Sequence, residues 1–585
     1  MNNRLINKMF FNTTVVQFFS MLIMELGVFV DGAIIGGCLG SEAMASYGFA
    51  LPIATVISGV STFFFAGISA LCGRAVARGD TKTSNRIFSQ CILVSMITSV
   101  SLLLICFGNA DRLAVLSGAR NGLERETADY IRGYALCVPA LLLSRALTPI
   151  LQIDGDRSRV IRAVSIMTGI NVILDVLVGV VLHKGLLFMA LCTAISYCVG
   201  AIILLLHFRK KDTMFRFSLS EAQPKLQTVM SLFSYGLPDA LQQFCRSALN
   251  FCMNHILLIT GGANAVSAFS AIYSASLICI MLGSSIGDSI YVMNSLFVGE
   301  KDAQSIREML RTAMKTAFVL NAALSIIMFM ISPVFLRLFL HSNQEALQFA
   351  ITGFRIYSMS IILYSFNVIW RTYYQSMHLL NIAYPYVILN NFGFIALSAF
   401  VLSRFWGIHG LWFSFLTGQA LSLLFIILWN LTRTENKDLL EAMMRLPEDF
   451  SSGVLSLWAW SCRSPDEIVK ISTEVERICK AEGASSRISL ILQLVVEEMG
   501  NNILQYGFSD NKAHSIDIKM QHLKDGWLLR FRDDCVPFDP TKYVSLFECS
   551  SPEEHIGIRA VKSLARKMEY VNTTQFNNLL IEVGE

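Results

Sequence analysis

Charged residues are scarce in this chain. Asp, Glu, Lys and Arg make up 15% of its 585 residues, whereas globular proteins carry roughly 25%. Apolar residues account for 54%. This combination argues against an ordinary globular protein and indicates many buried spans. The net charge is only +4, so bulk electrostatics predict no nucleic-acid partner.

Several familiar site patterns are also missing. The 14 cysteines follow no metal-ligand spacing and mostly lie in apolar runs, so we interpret them as small hydrophobic residues without a disulfide framework. The nine histidines form no metal cluster or Ser/His/Asp arrangement in the sequence. There is no Gly-x-x-x-x-Gly-Lys-Ser/Thr motif, which argues against ATP-driven primary transport.

Apolar segments of membrane-spanning length recur over residues 11–431. Each exceeds or approaches the ~20 residues that a helix needs to cross hydrocarbon. The first is longer than a signal-peptide core and lacks a convincing cleavage site, so we expect it to remain as a span. The twelve predicted spans are 11–38, 47–73, 87–108, 130–151, 161–182, 185–208, 229–260, 265–297, 312–339, 352–379, 383–402 and 407–431.

The distribution of Lys and Arg predicts the orientation of these spans. Basic residues concentrate in alternate loops, at residues 74–86, 157–162, 209–225 and 301–315. These loops are predicted to face the cytoplasm, and an even number of spans places both termini there. The sequence therefore predicts a multi-pass protein of the plasma membrane.

The membrane half repeats itself at an offset of about 220 residues. The stretch 40–47 (Gly-Ser-Glu-Ala-Met-Ala-Ser-Tyr) is echoed by 262–269 (Gly-Ala-Asn-Ala-Val-Ser-Ala-Phe). The offset covers an even number of spans, so the repeats are parallel and predict two six-helix lobes around a central cavity. The predicted domains are an N-lobe, a C-lobe, a linker and a cytoplasmic domain, at 1–225, 226–432, 433–455 and 456–585.

Carboxylates inside the spans suggest chemistry. Asp31 lies in the first span, and Asn171 and Asp175 lie four residues apart in the fifth. A charged side chain at the bilayer centre costs about 2.5–3.5 kcal/mol on insertion scales. A bound proton or Na⁺ removes that cost, which is how such sites couple ions to substrates. The alternative is a carboxylate that is paired or that reaches the interface.

Three motifs resemble the MATE (multidrug and toxic compound extrusion) family. They are 29–36 (Phe-Val-Asp-Gly-Ala-Ile-Ile-Gly), 171–175 (Asn-Val-Ile-Leu-Asp) and 236–238 (Gly-Leu-Pro). The resemblance covers about residues 10–430 and implies antiport of organic cations or other amphiphilic compounds against H⁺ or Na⁺. The cation site that it implies consists of Asp31, Asn171, Asp175 and Thr193. Gly32 departs from the pattern, and the second lobe has no clear acidic site.

After Trp429 the composition becomes that of an ordinary globular domain. Its patterns predict an α+β fold with an antiparallel-leaning sheet. The predicted helices are 464–482, 485–505 and 557–568, and the predicted strands are 514–520, 526–532 and 579–583.

Three places in this domain could carry chemistry. Glu498 and Asn502 share one helix face; an Asn oxygen can hold Mg²⁺ and a Glu can act as general base. A carboxylate in the turn that starts at Asp533 could accept a hydrogen bond from adenine. Gly557 lies where a helix begins and its N–H groups attract phosphate. Taken singly, these features are ordinary solvated pairs and turns.

Their order and spacing resemble the nucleotide-binding boxes of GHKL ATPases, and most closely the anti-sigma-factor serine kinases. The resemblance covers about residues 460–585. It implies ATP and Mg²⁺ as cofactors, with Asn502 binding Mg²⁺, Glu498 as base, Asp533 reading adenine and Gly557 approaching phosphate. It also implies a cytosolic protein partner of the STAS-like or regulator type. Cys535 and His555 replace glycines of the pattern.

The sequence leaves three functions open. The first is ion-coupled efflux of small organic compounds, with an ATP-binding domain that regulates transport or phosphorylates a partner. The second is a membrane-tethered serine protein kinase that uses the transporter fold as a receptor. The third is export of a lipid-linked or peptide product. The linker contains no His, which argues against a histidine kinase.

Overall fold

The structure of the protein is a computed structural model. It describes residues 4–77, 81–120, 122–154, 156–210, 213, 215–299, 302–341, 343–377, 379–434, 438–446, 450, 454–508, 514–523, 525–536, 538–541, 556–573 and 576–584. The chain divides into two compact units. The helical unit comprises Gln17–Tyr291 and Met314–Leu439, and the sheet unit comprises Met1–Val16, Val292–Ala313 and Leu440–Glu585.

Long apolar helices form the transporter part of the chain. They are α1 (Arg4–Ile34), α2 (Ser41–Ala77), α3 (Thr81–Gly108), α4 (Ala110–Leu116), α5 (Glu124–Ile153), α6 (Arg157–Asp175), α7 (Leu186–Leu205), α8 (Leu226–Gly299), α9 (Ala303–Arg337), α10 (Gln344–Ser376), α11 (Leu380–Ile388) and α12 (Phe394–Leu431). Among the described residues, nine helices are long and apolar enough to cross a membrane. The count of twelve spans stays a prediction.

Two of these helices contain a glycine with non-helical dihedral angles. Gly262 in α8 has φ 66° and ψ −160°, and Gly407 in α12 has φ 54° and ψ −133°. Positive φ is accessible to glycine without a steric penalty from Cβ. Both glycines lie at predicted boundaries between spans, so the sequence pattern and the backbone geometry interrupt these helices at the same places.

Short π-helical segments continue two helices beside the predicted cation site. Residues Ile35–Leu39 follow α1, and Val176–Val181 follow α6. Such π-bulges occur frequently at functional sites. The two segments lie against each other, because a Cβ added at Gly179 would come within 2.1 Å of Ile34 Cγ2. Asp31 and Asp175 therefore both lie next to an irregular part of their helices.

A proline in α2 requires a hydrogen bond from α8. Pro52 has no N–H, so the carbonyl of Gly48, four residues earlier, loses its helical donor. The side-chain amide of Asn254 donates to this carbonyl at 2.9 Å, and the Ser247 hydroxyl donates to the Pro52 carbonyl at 2.6 Å. Asn254 is fully buried. Helices α2 and α8 are thus joined by specific hydrogen bonds and not by apolar packing alone.

The sheet unit contains one five-stranded antiparallel sheet. The strands are β1 (Val454–Cys462), β2 (Ile516–Leu523), β3 (Gly526–Asp533), β4 (Lys567–Thr573) and β5 (Phe576–Gly584), and their order is β1-β2-β3-β5-β4. The helices are α13 (Leu439–Met444), α14 (Pro465–Ala481), α15 (Ser486–Asn502) and α16 (Ile556–Leu564), and α15 continues as the π-helical turn Ile503–Gly507. A buried apolar core between helices and sheet includes Ile468, Val495, Ile518, Leu529 and Ile581.

The predicted α+β pattern of this domain agrees with these elements in most places. The helices expected at 464–482 and 485–505 correspond to α14 and to α15 with its π turn. The expectation that one helix runs from 557 to 568 is wrong at its end, because α16 stops at Leu564 and Lys567 begins β4. Backbone pairing of Lys567 with Glu582 of β5 overrides the local helical pattern.

The first strand of the sheet was not expected from the sequence. The sequence predicts a linker over 433–455 and no strand directly after it, whereas β1 begins at Val454 and pairs with β2 in an antiparallel register, with Trp458 opposite Met520. Its alternating Leu and Trp residues form a strand only because β2 supplies the hydrogen-bonding edge.

We predict that Asn254→Ala destabilises the transporter helices. The Gly48 carbonyl would lose its donor in a buried site, and a buried polar group left unpaired costs about 1–3 kcal/mol. The thermal unfolding temperature of the purified full-length protein in detergent should fall measurably. Asn109→Ala, at an exposed asparagine, is the matched control and should change it little.

Asn254→Ala should lower the unfolding temperature less in a Pro52→Ala background. Alanine at position 52 restores an N–H that can donate to the Gly48 carbonyl. The difference between the effects of Asn254→Ala in the two backgrounds measures the energetic coupling between positions 254 and 52. An equal cost in both would show that Asn254 does not act by replacing the missing donor.

Candidate functional site

The predicted cation site is assembled by α1 and α6. Asp31 interacts directly with Asp175 and Asn171, and a Cβ at Gly27, one turn before Asp31, would lie 2.9 Å from Asn171 Oδ1. Asp31 and Asn171 are each 8% exposed, and Asp175 is fully buried. Three of the four residues expected from the sequence thus come together within the transporter helices.

The oxygens of this cluster are largely unsatisfied. Within the described part of the chain, Oδ1 of Asp31 and both carboxylate oxygens of Asp175 have no hydrogen-bond partner of acceptable geometry. The Asn171 amide nitrogen is also unpartnered. A buried carboxylate without partners is strongly disfavoured when ionised. Two such groups side by side favour uptake of a proton or of a cation that accepts oxygen ligands.

The surroundings include residues that the sequence analysis did not identify. Tyr47 on α2 is buried and interacts electrostatically with Asp31, and its ring packs edge-to-face on Tyr130 at 5.3 Å between centroids. Cys192 on α7 contacts Asp175, whereas the predicted Thr193 is the next residue along and is half-buried. Only the apolar context of Tyr47 and Cys192 is visible in the sequence, and it gave no signal.

The second predicted site is a pocket in the sheet unit. Asn502 and Asp533 both line it, so the structure brings together a helix residue and a strand residue that are distant in sequence. Most of its wall is apolar and aromatic, and this part consists of Met499, Ile503, Val536, Phe538, Ile558, Tyr570 and Leu579. An apolar pocket with a few polar groups is typical of small-molecule sites.

Asp533 is held firmly at the edge of β3. Its Oδ1 accepts hydrogen bonds from the Asn577 side chain at 2.7 Å and from the Cys535 backbone N–H at 3.0 Å. Burial raises the pKa of Asp533, and the bonds from Asn577 and Cys535 oppose that rise. One oriented, buried acceptor in an apolar pocket can accept a hydrogen bond from a ligand amino group.

The two glutamates of α15 have different surroundings. Glu497 Oε1 accepts a hydrogen bond from the Ser472 hydroxyl at 2.6 Å, so it joins α15 to α14. Glu498 faces Gly557 instead, since a Cβ at Gly557 would lie 1.7 Å from its Oε2. Glu498 and the start of α16 are therefore in contact.

Cys535 and His555 are the two residues that replace glycines of the GHKL pattern. Cys535 is buried, and Gly507 makes room for it, because a Cβ at Gly507 would lie 2.7 Å from the Cys535 Cβ. The side chain at position 535 is thus accommodated at the pocket wall. His555 lies outside the described residues.

One further group has metal-ligand geometry in the described part of the sheet unit. His514, Asp534 and Cys535 bring their ligand atoms within 4.8 Å of one another, which the sequence did not suggest. The second oxygen of Asp534 binds the Lys8 ammonium, and His514 Nδ1 lies 3.3 Å from Oδ1. Lys8 already supplies the positive charge for this carboxylate, so a metal is not required.

The pocket residues fit the groups that Mg²⁺ and ATP would present. Asn502 offers an amide oxygen of the kind that Mg²⁺ accepts alongside phosphate. The apolar walls suit a purine, and Asp533 suits its amino group. Gly557 precedes the pocket residue Ile558 and is in close contact with Glu498. When bound, Mg-ATP would supply a transferable phosphoryl group, and Asn502 and Asp533 would be the polar side chains beside it.

Comparison with known proteins concerns the transporter part. The MatE family model matches residues 17–177 and 238–401. "Multidrug export protein MepA" of Staphylococcus haemolyticus (strain JCSC1435) is 25% identical over 243 residues, which cover 40% of this chain and 52% of the relative. The chain thus spans about half the length of the MepA relatives that it matches. "Probable multidrug resistance protein YoeA" of Bacillus subtilis (strain 168) is 21% identical over 434 residues, which cover 70% and 89%.

Solved structures share the fold. An inward-facing multidrug resistance MATE family transporter of the MOP superfamily is 20% identical, with a TM-score of 0.66 over 73% of this chain and 98% of that chain. An outward-facing MATE structure gives 0.60 at 19% identity, over 75% and 97%. The family match extends over more than half of the chain. The chain therefore belongs to the MatE family of membrane transporters.

Proposed function

We propose that the protein is an ion-coupled efflux transporter in which Asp31 and Asp175 exchange a proton or Na⁺ for cargo. The observation that carries this proposal is the buried pair of neighbouring carboxyl groups with three unbonded oxygens. Either cation removes one of the two negative charges of the pair. When that cation leaves, two like charges remain at close range, which a bound cargo must compensate.

The cargo class is an amphiphilic or cationic small molecule. The aromatic wall at Tyr47 and Tyr130 suits a flat apolar cation, and the relatives are described as multidrug export or resistance proteins. The proposal includes twelve spans in two lobes, with the basic loops and both termini in the cytoplasm. Alternation of access between two parallel lobes follows from that repeat.

We predict that Asp175→Asn abolishes gradient-driven efflux. The amide keeps the size of the side chain but cannot exchange a cation, so vesicles with an imposed proton or Na⁺ gradient should lose most ethidium export, by about tenfold or more. The measurement is ethidium fluorescence in proteoliposomes of the full-length protein.

The matched control for this substitution is Asp111→Asn. Asp111 is a solvent-exposed aspartate whose side chain is 71% accessible and pairs with Arg132, so its replacement should leave transport near wild type. Full ethidium export by Asp175→Asn under the same gradients would remove the antiporter proposal.

We further propose that the C-terminal domain binds ATP with Mg²⁺ in the pocket at Asp533 and regulates transport. The support is the convergence of Asn502 and Asp533 on one pocket, together with the contact of Glu498 with Gly557, the residue before the pocket residue Ile558. The closeness of Glu498 to Gly557 also keeps a second candidate open, a serine kinase that phosphorylates a cytosolic partner. Transfer of labelled phosphate to a protein would favour that candidate.

We predict that Asp533→Ala weakens adenine nucleotide binding about 10–100-fold, the range expected when a hydrogen bond to a charged group is lost. Wild type should prefer ADP to GDP, because guanine has an oxygen where adenine has its amino group. Since burial raises the pKa of Asp533, affinity should fall as acidification protonates it, starting above the ordinary value of 3.8. Equilibrium binding to the detergent-purified full chain measures each effect.

Asp466→Ala is the control for this experiment. Asp466 lies in the first turn of α14, is exposed, and is not part of the pocket wall. Equal nucleotide affinity in wild type and Asp533→Ala, with no preference for adenine, would remove the pocket assignment.

A further inference from the structure

The sheet of the C-terminal domain has a second face that is charged and yet buried. Side chains alternate along a strand, so Lys519, Arg530 and Arg532 point away from the apolar core that holds Ile518 and Leu529. These three cationic residues are only 3%, 5% and 1% exposed. Cations with so little exposure require a partner surface, because burying an unpaired charge is strongly unfavourable. We call these three side chains the docking face.

The partner of the docking face is the segment that connects two transporter helices. Asp302 lies between α8 and α9, and its Oδ2 binds Lys519 Nζ at 2.5 Å and Arg530 Nη1 at 2.6 Å. The Asp302 side chain is completely buried. The Arg532 guanidinium lies over the Phe297 ring at 4.9 Å. All of these residues belong to the sheet unit.

Asp302 also determines how α9 begins. It precedes Ala303, and its Oδ1 accepts the backbone N–H of Ser305 at 3.0 Å, while Oδ2 accepts the Ser305 hydroxyl at 2.6 Å. This is the geometry of a helix N-cap. Burial opposes ionisation, but the charges of Arg530 and Lys519 hold the pKa of Asp302 well below its usual range. One ionised carboxylate therefore caps a transporter helix and binds two strands of the domain.

A second connection leads from the pocket to α1. Asp533 lines the pocket, and the adjacent Asp534 binds Lys8 near the start of α1. Asn7, beside Lys8, accepts a hydrogen bond from the Thr312 hydroxyl of α9 at 2.7 Å. The helix held at Lys8 is the one that carries Asp31. Movement of the β3 end on nucleotide binding would therefore act on the starts of α1 and α9 together.

We propose that the C-terminal domain acts on its own transporter through the docking face, with the α8–α9 segment of the same chain as its partner, and that nucleotide in the Asp533 pocket changes transport through this contact. This inference rests on the proposed nucleotide and transport functions. It favours regulation within one chain over phosphorylation of a separate protein. Because coupling between sites is reciprocal, weakening the docking contact also changes nucleotide affinity.

The test uses the full chain in proteoliposomes, with ethidium efflux measured with and without ADP or a non-hydrolysable ATP analogue on the face that carries the domain. In wild type, nucleotide should change the initial efflux rate about fivefold or more. In Asp302→Asn, which retains an acceptor for Ser305, the ratio should approach one while efflux without nucleotide persists. Asp466→Asn, an exposed residue of the same domain, should keep the wild-type ratio.

Asp302→Asn leaves two buried cations without their counter-charge and could unfold the domain. Amide hydrogen exchange on the wild-type protein supplies a second measurement. Nucleotide should change the exchange of residues 4–10 and 303–313 as well as that of the pocket segments. Protection confined to the pocket, or an unchanged efflux rate with nucleotide bound, would overturn the proposal.

The outcomes separate this inference from the functions on which it rests. If the pocket binds no nucleotide, the nucleotide assignment fails and this inference fails with it. If ethidium is not exported under any gradient, the transport proposal fails. Binding and transport that are both intact but independent of each other contradict the docking inference alone.

Discussion

A charge can remain buried in a protein only with a compensating partner, and this constraint organises both halves of the molecule. Asp302 meets this constraint fully: its carboxylate binds the side chains of Lys519 and Arg530 and accepts the Ser305 N–H at the start of α9. Asp31 and Asp175 do not meet it, since three of their four carboxylate oxygens lack a hydrogen-bond partner among the described residues and each group has the other as its neighbour. The first arrangement is suited to a permanent structural contact, and the second to an exchangeable ion.

The proposed ion site lies beside irregular helix geometry. Both carboxylates lie beside π-helical segments, and Gly179 allows these segments to approach closely. A helix with a wider turn can change its register with less disruption than a regular one. The permanent contacts lie elsewhere, as in the bond from Asn254 to the carbonyl that Pro52 leaves without a donor. The fully bonded contacts and the proposed ion site thus lie at different places in the transporter helices.

Much of this organisation could be predicted from the sequence, because periodicity and spacing report local structure. The pairing of Asn171 with Asp175 at helical spacing placed both at the site, and Asp533 was assigned to a pocket from its position after a strand. Tyr47 and Cys192 could not be found this way, since nothing distinguishes them locally from other apolar-run residues. The strand that begins at Lys567 follows from pairing with β5, which local propensity does not contain.

The contact made by the docking face could not be predicted from the sequence either. In the sequence, Lys519, Arg530 and Arg532 alternate with apolar residues and have the pattern of a strand whose outer face meets water. Asp302 is one acid in a basic loop. Only the three-dimensional arrangement shows that these charges neutralise one another, because the partners are more than 200 residues apart. Long-range charge pairing leaves no periodic signal.

The ions released when cargo binds provide the most direct test of the account. Ethidium would be added to the detergent-purified full-length protein in weakly buffered solution, with a pH indicator dye and, separately, a Na⁺ electrode. The account predicts release of about one H⁺ or Na⁺ per bound ethidium, and none from the Asp31→Asn/Asp175→Asn double variant. Ethidium binding without ion release from wild type, or equal release from the double variant, would contradict it.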